Sequence, residues 1–442
     1  MRRYLIIGSG VAGISAIEAI RKIDQSGEII LVSDDVHGYY SRPGLAYYLT
    51  GELAEEHLFP FSKSDFKNLN LHFLHARVVQ IKPTEHQVLL NTGKVVRYDR
   101  LLIAVGASAA KLRLPGSEHE GVVKLDSLED ARLILRLSRR ARTAVVVGGG
   151  ITALEIVEGL LARGVKTHFL LRGQTYWGNV LDGIESHIVL NKLQEEGVKI
   201  HFNTEIESIL AKRGKVAGIQ TKDGRRLACD LVAYAIGIRP RLDLAESSDL
   251  QTNRGILVDN HLRTNVPDIF AAGDVAEVYD PFTGQSVIDS LWGPARDQGN
   301  VAGTNMAGIS VPYAKPIPFN VTRLAHLTTT IIGTVGKGAD KDLVGIARGD
   351  SETWRQLPDA IAAQSNFDIN RLRILVGQNT LLGAIVMGDQ SLSKALHKLI
   401  IHQEEIKSIR NQLLQPDAPL ANIIADHYIH TSEKYAHSNH QP

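Results

Sequence analysis

The chain has 442 residues, of which 44% are hydrophobic and 22% charged, so it is long enough for two or three separate cores and too apolar for disorder. Its 49 basic and 48 acidic residues leave a formal net charge of +1, which provides no long-range field favouring nucleic acid or an anionic membrane. No apolar stretch reaches the roughly 18–20 residues that cross a bilayer, and the short run after Arg3 lacks the features of a signal peptide. These properties predict a cytoplasmic protein that binds neither nucleic acid nor membranes.

A glycine-rich turn follows the first predicted strand, YLII, and precedes a helix with isoleucines at helical spacing. The turn carries Gly8, Gly10, Ala12 and Gly13. The next strand, EIILVS, ends at Asp34 and Asp35, about 20 residues on, where an acid can bind ribose hydroxyls. A helix N-terminus behind such a turn faces the charge of a pyrophosphate. This βαβ unit predicts a dinucleotide site.

A second copy of the same pattern begins at Thr143 with the strand TAVVV. Its turn carries Gly148, Gly150 and Ala153, and its second strand, KTHFLL, ends at Leu171 and Arg172. A guanidinium here would pair with a 2′-phosphate, which favours NADPH over NADH. The alternative is that Arg172 is only a solvated residue at the end of a strand. Two turns predict two dinucleotides, one tightly held flavin and one exchangeable nicotinamide.

A later strand ends in the small residues Ala271, Ala272 and Gly273, followed by Asp274. Small residues let the backbone approach a ligand closely, and the carboxylate of Asp274 can accept hydrogen bonds from ligand hydroxyls. A helix-capping role for Asp274 would not account for the small residues before it. The only cysteine, Cys229, excludes an internal disulfide and paired-thiol chemistry within one chain, and its apolar surroundings predict a small buried side chain.

Three further stretches resemble the two-dinucleotide-binding flavoproteins that include ferredoxin and rubredoxin reductases, the flavin part of NADH-dependent nitrite reductase, NADH oxidases and glutathione reductase. They are YDRLLIAVGA with Ala104 and Gly106, LVAYAIGIRP with Gly237, and TNVPDIFAAGD with Gly273 and Asp274. The resemblance implies an α/β fold of two Rossmann-like domains as in glutathione reductase, the second inserted in the first, and a small α+β C-terminal domain.

The same resemblance implies domain boundaries. Residues 1–111 and 239–311 would form the FAD-binding domain, 112–238 the NAD(P)H-binding domain, 316–415 an interface domain, and 416–442 a partly mobile tail. Dimerisation through the interface domain is a family-level expectation, and some of these reductases are monomers.

The segment YYSRPGLAYYLTGE distinguishes classes within the family, because Pro43 stands where peroxide- or CoA-linked members have a cysteine. The pattern resembles ferredoxin, rubredoxin and nitrite reductase types, and it implies that Arg42 and Pro43 lie by the flavin. Trp292 is a candidate for bordering the isoalloxazine, although a core tryptophan fits nearly as well. Glu155 matches the acid near the nicotinamide and flavin rings and is the candidate catalytic residue; the alternative is a first-turn helix acid favoured by the helix dipole.

The implied activity is transfer of hydride from NADPH or NADH to N5 of FAD, followed by electron transfer to a small carrier such as a ferredoxin or rubredoxin. Two alternatives stay open: an oxidase that uses oxygen, and a nucleotide-sensing flavoprotein resembling apoptosis-inducing factor. No metal site is predicted.

Overall fold

The computed structural model describes residues 1–281, 284–335, 371–415 and 418–438. These residues form two compact units. The first consists of residues 1–172 and 198–316, and the second of residues 173–197, 317–335, 371–415 and 418–438. The second unit therefore takes in a segment of the predicted NAD(P)H-binding domain. The domain boundaries themselves stay a prediction.

The strands are numbered in chain order. They are β1 (Arg3–Ile7), β2 (Glu28–Ser33), β3 (Leu71–His75), β4 (Val78–Lys82), β5 (Gln87–Leu90), β6 (Val95–Arg97), β7 (Arg100–Ile103), β8 (Ala107–Ala109), β9 (Val122–Val123), β10 (Thr143–Val147), β11 (Lys166–Leu170), β12 (Lys199–His201), β13 (Ile206–Lys212), β14 (Lys215–Thr221), β15 (Arg226–Leu227), β16 (Leu231–Tyr234), β17 (Ile238–Pro240), β18 (Ile256–Leu257), β19 (Ile269–Ala271), β20 (Ala276–Asp280), β21 (Gln285–Val287), β22 (Phe319–Leu324), β23 (Leu327–Gly333), β24 (Arg371–Val376) and β25 (Leu381–Met387).

The helices are numbered in the same way. They are α1 (Val11–Ile23), α2 (Gly44–Thr50), α3 (Lys63–Asn68), α4 (Leu128–Ser138), α5 (Ile151–Leu161), α6 (Gly183–Glu195), α7 (Asp243–Glu246), α8 (Trp292–Met306), α9 (Ser393–Ile401), α10 (Arg410–Leu413) and α11 (Leu420–Ser438). Short 3₁₀ helices cover Glu55–Leu58 and Pro83–Glu85.

The first unit contains a five-stranded parallel sheet in the order β19-β7-β1-β2-β3. Strand β1 reads RYLII and is buried on both faces, as is usual for the central strands of a parallel sheet covered by helices. Helices α1 and α8 pack against each other beside this sheet. The edge strand β19 comes from the part of the chain that follows the second glycine turn, so the sheet is built from two separate segments.

A second parallel sheet has the order β12-β11-β10-β16-β9. Its strands all come from residues between the two segments of the first sheet. The antiparallel pair β8 and β17 lies where the chain passes from one sheet to the other and back. Three-stranded sheets with the orders β4-β5-β6, β13-β14-β15 and β18-β20-β21 complete the strands of this unit. Both parallel sheets have the arrangement that the sequence predicts, and the α/β fold is confirmed.

The second unit is built on an antiparallel sheet in the order β22-β23-β25-β24. Its apolar core includes Ile332, Ala384, Leu396 and Leu399. Helix α6 also belongs to this unit. Its capping aspartate, Asp182, accepts a 2.7 Å hydrogen bond from Arg371, and the fully buried Glu185 accepts one of 2.8 Å from Arg373.

The described residues of the predicted tail, 418–438, are mostly helical, and its partial mobility stays a prediction. Helix α11 covers Leu420–Ser438, and Ile424 is buried in the core of the second unit. The residues Leu420, Ile423, Ile424 and Tyr428 recur at helical spacing and pack against that core, which explains why this segment is ordered as a helix. In the parts of the chain that the structure describes, no helix has both the length and the hydrophobicity to cross a membrane.

Candidate cofactor sites

A cavity of about 820 Å³ opens at the carboxyl ends of β1, β2, β7 and β19 in the first unit. Open α/β sheets bind their ligands at this edge. Most residues predicted for the flavin site line the cavity: Gly8, Gly10, Ala12, Asp34, Asp35, Arg42, Pro43, Ala104, Gly106, Gly273, Asp274 and Trp292. They come from segments far apart in the chain, and the fold brings them to one place.

The first glycine of the turn, Gly8, is required by close backbone packing. Its φ is +112°, in a region that side chains rarely adopt, and an added Cβ would collide with the carbonyl oxygen of Ala104. The amide of Gly8 donates a 2.8 Å hydrogen bond to the carbonyl oxygen of Val32. Gly13 does not line the cavity; it lies directly behind the turn, where a Cβ would collide with the carbonyl oxygen of Gly8.

Helix α1 begins immediately after Gly10, whose position at the helix N-terminus has no side-chain cap. Gly10 lines the cavity, so the N-terminal end of the helix lies at its wall. Unpaired backbone N–H groups and the helix dipole at such an end attract a negatively charged group. The turn therefore suits a phosphate.

The two acids after β2 line the cavity but have different partners. Arg77, which also lines the cavity, donates a 2.8 Å hydrogen bond from Nε to Oδ2 of Asp34. The Oδ1 atom of Asp35 accepts a 2.9 Å hydrogen bond from the amide of His37, within its own loop. Both carboxylates have further acceptor capacity, which is the chemistry that ribose hydroxyls require.

Arg42 links the cavity to the start of helix α4. Its Nη1 donates a 2.7 Å hydrogen bond to the carbonyl oxygen of Asp126. Burial opposes its charge, but Tyr40 and the carboxylates of Asp126 and Asp274 outweigh that effect and raise the pKa of Arg42. A permanent positive charge therefore lies near the carboxylate of Asp274 at this cavity.

The turn at Gly273 and the start of α8 form another part of the wall. The amide of Gly273 donates a 2.8 Å hydrogen bond to Oε1 of the fully buried Gln298. Trp292 is the first residue of α8, and the guanidinium carbon of Arg296 lies 5.2 Å from the centroid of its ring. Trp292 is thus at the cavity rather than enclosed in the core, which favours the flavin-bordering role.

Three cations at the cavity were missed by sequence reasoning: Arg77, described above, Lys111 and Arg241. Lys111 and Arg241 both line it, just beyond β8 and β17 respectively. The amide of Arg241 donates a 3.1 Å hydrogen bond to the carbonyl oxygen of Gly106, next to the predicted glycine turn. Lys111 and Arg241 flank the antiparallel pair β8 and β17, at which the chain passes between the two sheets. This position in the chain is the signal that could have identified them.

The second glycine turn repeats the backbone packing of the first. An added Cβ on Gly148 would collide with the carbonyl oxygen of Ala235, and Gly150 precedes α5 without a side-chain cap. The predicted residues of this site, Gly148, Gly150, Ala153, Arg172 and Gly237, do not line the 820 Å³ cavity. Arg172 is exposed at the end of β11, Gly237 is exposed, and Ala153 is buried.

Glu155 is only 8% exposed and is the fifth residue of α5, beyond the first turn, where the helix dipole has most effect. The dipole alternative is therefore not favoured. Helix α5 packs against α2, which follows Arg42 and Pro43, and Nε of Arg163 donates a 3.2 Å hydrogen bond to the carbonyl oxygen of Leu49. The helix of the second turn thus directly contacts the segment that lines the first site.

A charged group also ties the first site to α4. Arg132 on α4 donates hydrogen bonds of 3.2 and 2.5 Å to Glu55, which also accepts one of 2.5 Å from Tyr48. These bonds, led by those from Arg132, lower the pKa of Glu55 to about 2. The residues that follow α2 are thereby bound to α4, the helix that precedes the second glycine turn.

Cys229 is buried within the apolar cluster between β14 and the second parallel sheet. Burial raises the pKa of its thiol to about 12, so the thiol stays protonated at neutral pH. A protonated, enclosed thiol is neither a nucleophile nor a redox partner. Among the described residues, no group of three or more histidine, cysteine, aspartate or glutamate side chains is placed to hold a metal ion.

The residues of the cavity fit an FAD molecule. Its volume of about 820 Å³ lies within the usual range for cofactor sites. The open helix end at Gly10 and the cations Arg42, Lys111 and Arg241 match two phosphates, and the acids match ribose and ribityl hydroxyls. Gly10 has no atom within 4 Å of an added Cβ, so a side chain there would take up space that a phosphate can occupy.

Comparisons with known proteins agree with this geometry. Residues 2–299 match the family model described as pyridine nucleotide-disulphide oxidoreductase. The 3-phenylpropionate/cinnamic acid dioxygenase ferredoxin–NAD(+) reductase component of Photorhabdus laumondii is 32% identical over 314 residues, covering 70% of this chain and 78% of the relative. The nitrite reductase [NAD(P)H] of Bacillus subtilis is 24% identical over 420 residues, which cover 94% of this chain; the chain spans only about half (49%) of its length.

Among solved structures, the ferredoxin reductase for the CYP199A2 system from Rhodopseudomonas palustris shares the fold with a TM-score of 0.82 and 23% identity, covering 96% of this chain and 99% of that one. The predicted family resemblance, fold, enzyme class and cofactors are confirmed: the protein is an oxidoreductase that uses FAD and NADH or NADPH. The individual site residues stay predictions. By its motifs, its paired dinucleotide folds and its match over residues 2–299, the chain belongs to the pyridine nucleotide-disulphide oxidoreductase family.

Proposed function

We propose that this protein takes electrons from NADPH or NADH and passes them, through FAD, to a small carrier protein such as a ferredoxin or rubredoxin. One observation carries the proposal. The chain has a cavity whose lining fits FAD, and its single cysteine lies outside that cavity, buried and protonated. Sulfur of this chain therefore takes no part in the transfer. The ferredoxin reductase names of the Photorhabdus and Rhodopseudomonas proteins support an electron carrier as the acceptor.

Different residues of the chain bind different parts of FAD. The N-terminus of α1, Arg42, Lys111 and Arg241 bind the phosphates, while Asp274 accepts hydrogen bonds from ligand hydroxyls. When bound, FAD supplies a ring that accepts two electrons from reduced nicotinamide and passes them on singly or as a pair. Trp292 borders that ring and excludes water from one side of the cavity.

The second turn binds the nicotinamide dinucleotide. The N-terminus of α5 after Gly150 faces its pyrophosphate, and Glu155 orients the nicotinamide from the buried side of the helix. The exposed guanidinium of Arg172 supports a 2′-phosphate and thus NADPH. The NAD(+) in the name of the Photorhabdus relative supports NADH, so kinetics with both nucleotides are part of the test.

Stopped-flow absorbance tests the proposal. The flavin band of the purified holoprotein is followed during anaerobic mixing with NADPH or NADH, and then during mixing with oxidised ferredoxin, oxidised rubredoxin or air-saturated buffer. We expect fast bleaching, fast recovery with one carrier and slow recovery with air.

Fast recovery with air would instead identify an oxidase, and slow bleaching by both nucleotides would identify a nucleotide sensor. Either result would overturn the carrier proposal. Light scattering before and after reduction determines whether the protein works as a monomer or a homodimer.

A further inference from the structure

A buried lysine pairs with an aspartate whose neighbour in the chain, Ser290, lines the cavity. Lys315 is 8% exposed, and its Nζ lies 3.6 Å from Oδ2 of Asp280 and 3.7 Å from Oδ2 of Asp289. Both aspartates are also buried. Lysine is rarely buried unless it is paired, and pairing with two carboxylates needs a specific arrangement of three chain segments. We call Asp280, Asp289 and Lys315 the lysine cluster.

The lysine cluster is connected to the cavity through Asp289. The side chain of Asp289 accepts a hydrogen bond from the amide of Leu291. The residues on either side of Leu291, Ser290 and Trp292, line the cavity. The carboxylate therefore fixes the backbone that presents these two residues at the start of α8.

A second connection runs from the segment before Lys315 to helix α8. The amide of Val311, four residues before Lys315, donates a 2.8 Å hydrogen bond to Oδ1 of Asn305, and its carbonyl oxygen accepts one of 2.9 Å from Nδ2. Asn305 lies on α8, the helix that begins at Trp292. The segment that carries Lys315 is thus attached to the helix whose first residue lines the cavity.

We propose that Lys315 is a positioning residue for the flavin site: by holding Asp289 it fixes Ser290 and Trp292 against the bound cofactor. The inference rests on the proposed placement of FAD in this cavity. Without the ammonium group, two carboxylates share a buried site at low dielectric and repel each other. Asp289 then moves or takes up a proton, its hydrogen bond from Leu291 weakens, and the start of α8 loses its fixed position.

The test measures FAD binding to apoprotein by fluorescence titration, together with the absorption spectrum of the bound flavin. Four variants are compared with the wild type: Lys315→Met, Asp289→Ala, Asp289→Asn and the double variant Lys315→Met with Asp289→Asn. We expect Lys315→Met and Asp289→Ala to weaken FAD binding by roughly 10-fold, the size that orienting partners of a bound group commonly have, and to shift the flavin spectrum.

Asp289→Asn distinguishes positioning from a general loss of stability. The asparagine oxygen still accepts a hydrogen bond from Leu291, and it carries no charge that Lys315 must neutralise. We therefore expect this variant to bind FAD like the wild type, and the double variant to recover most of the affinity that Lys315→Met loses. The matched control is Lys215→Met, because Lys215 forms an exposed ion pair with Glu120; its FAD affinity stays unchanged.

Unchanged FAD affinity and spectrum in Lys315→Met, with only a lower unfolding temperature, would overturn the proposal. If that variant fails to fold, equal affinities of Asp289→Ala and Asp289→Asn would overturn it as well. Failure of wild-type apoprotein to bind FAD would refute the proposed function itself, so the two failures are distinguishable.

Discussion

Gly8 and Gly148 follow the central strands β1 and β10 of their sheets, and each presses against a carbonyl oxygen of the next strand's end, at Ala104 and Ala235. The third position of the turn differs. Gly13 leaves no room for a side chain, because a Cβ would meet the carbonyl oxygen of Gly8, whereas Ala153 stands at that place in the second turn. The two turns therefore share the close packing of their first glycine against a strand-end carbonyl and differ at their third position.

The surroundings of the two turns separate their roles. The first lines a cavity of about 820 Å³ together with acids, cations and an aromatic ring from widely separated parts of the chain. The second turn lies outside that cavity, and Arg172, just after its second strand, is exposed. Enclosure favours a resident cofactor, and openness favours one that enters and leaves in each turnover.

The largest effect is expected for Gly8→Ala, which tests the shared backbone design. Left-handed strain and the clash with Ala104 together cost on the order of 3–5 kcal/mol of unfolding free energy. We expect a colourless, destabilised protein, measured by flavin absorbance and urea unfolding. The control Gly10→Ala meets no atom within 4 Å and should cost only about 1 kcal/mol. A yellow Gly8→Ala protein of normal stability would refute the close packing.

Asp274→Ala tests whether tight binding of FAD in the enclosed first site depends on this carboxylate. Loss of charged hydrogen bonds to the cofactor should raise the FAD dissociation constant roughly 10- to 100-fold. Fluorescence titration of the apoprotein measures it. The control is Asp223→Ala. Asp223 is exposed between β14 and β15 and does not line the cavity, so this variant should bind FAD normally. Equal FAD affinities of the two variants would contradict the assignment of Asp274.

Arg172→Glu tests the open site alone. The change removes a guanidinium from a 2′-phosphate and should lower kcat/KM for NADPH by roughly 100-fold, with little change for NADH. The flavin spectrum and FAD affinity should not change, because Arg172 does not line the cavity. Steady-state rates with each nucleotide provide the measurement. Unchanged rates with both NADPH and NADH would show that Arg172 is only a solvated residue.

The smallest effect is expected for Cys229→Ala, which tests whether electrons move between the two sites without sulfur. Since the thiol loses its proton only as the pH approaches about 12, an aromatic disulfide reagent should not label the folded protein at pH 8. We expect kcat to stay within about twofold, and the unfolding free energy to fall by about 1 kcal/mol. Labelling of native protein with loss of activity would contradict this.

Sequence reasoning identified the two turns because each has a complete strand, turn and helix within about 30 residues, where local spacing determines the structure. It did not identify Lys111 and Arg241, since their place at the cavity depends on the pairing of β8 with β17. Lys315 is a similar case: nothing in its neighbours along the chain indicates that Asp280 and Asp289 approach it. For helix α11 the signal was present in the spacing of Leu420, Ile423 and Ile424, but the polar residues around them obscured it.

Strand β19 lies at the edge of the first sheet and pairs with β7, although the whole second sheet is made between them. During synthesis, the nascent chain exposes β1, β2 and β7 long before their last neighbour leaves the ribosome. All strands of the second sheet come from residues between β8 and β17, so this sheet can form before β19 has been made. If FAD binds in the cavity as proposed, a chain that ends before Gly273 and Asp274 lacks part of the cavity wall and should stay colourless.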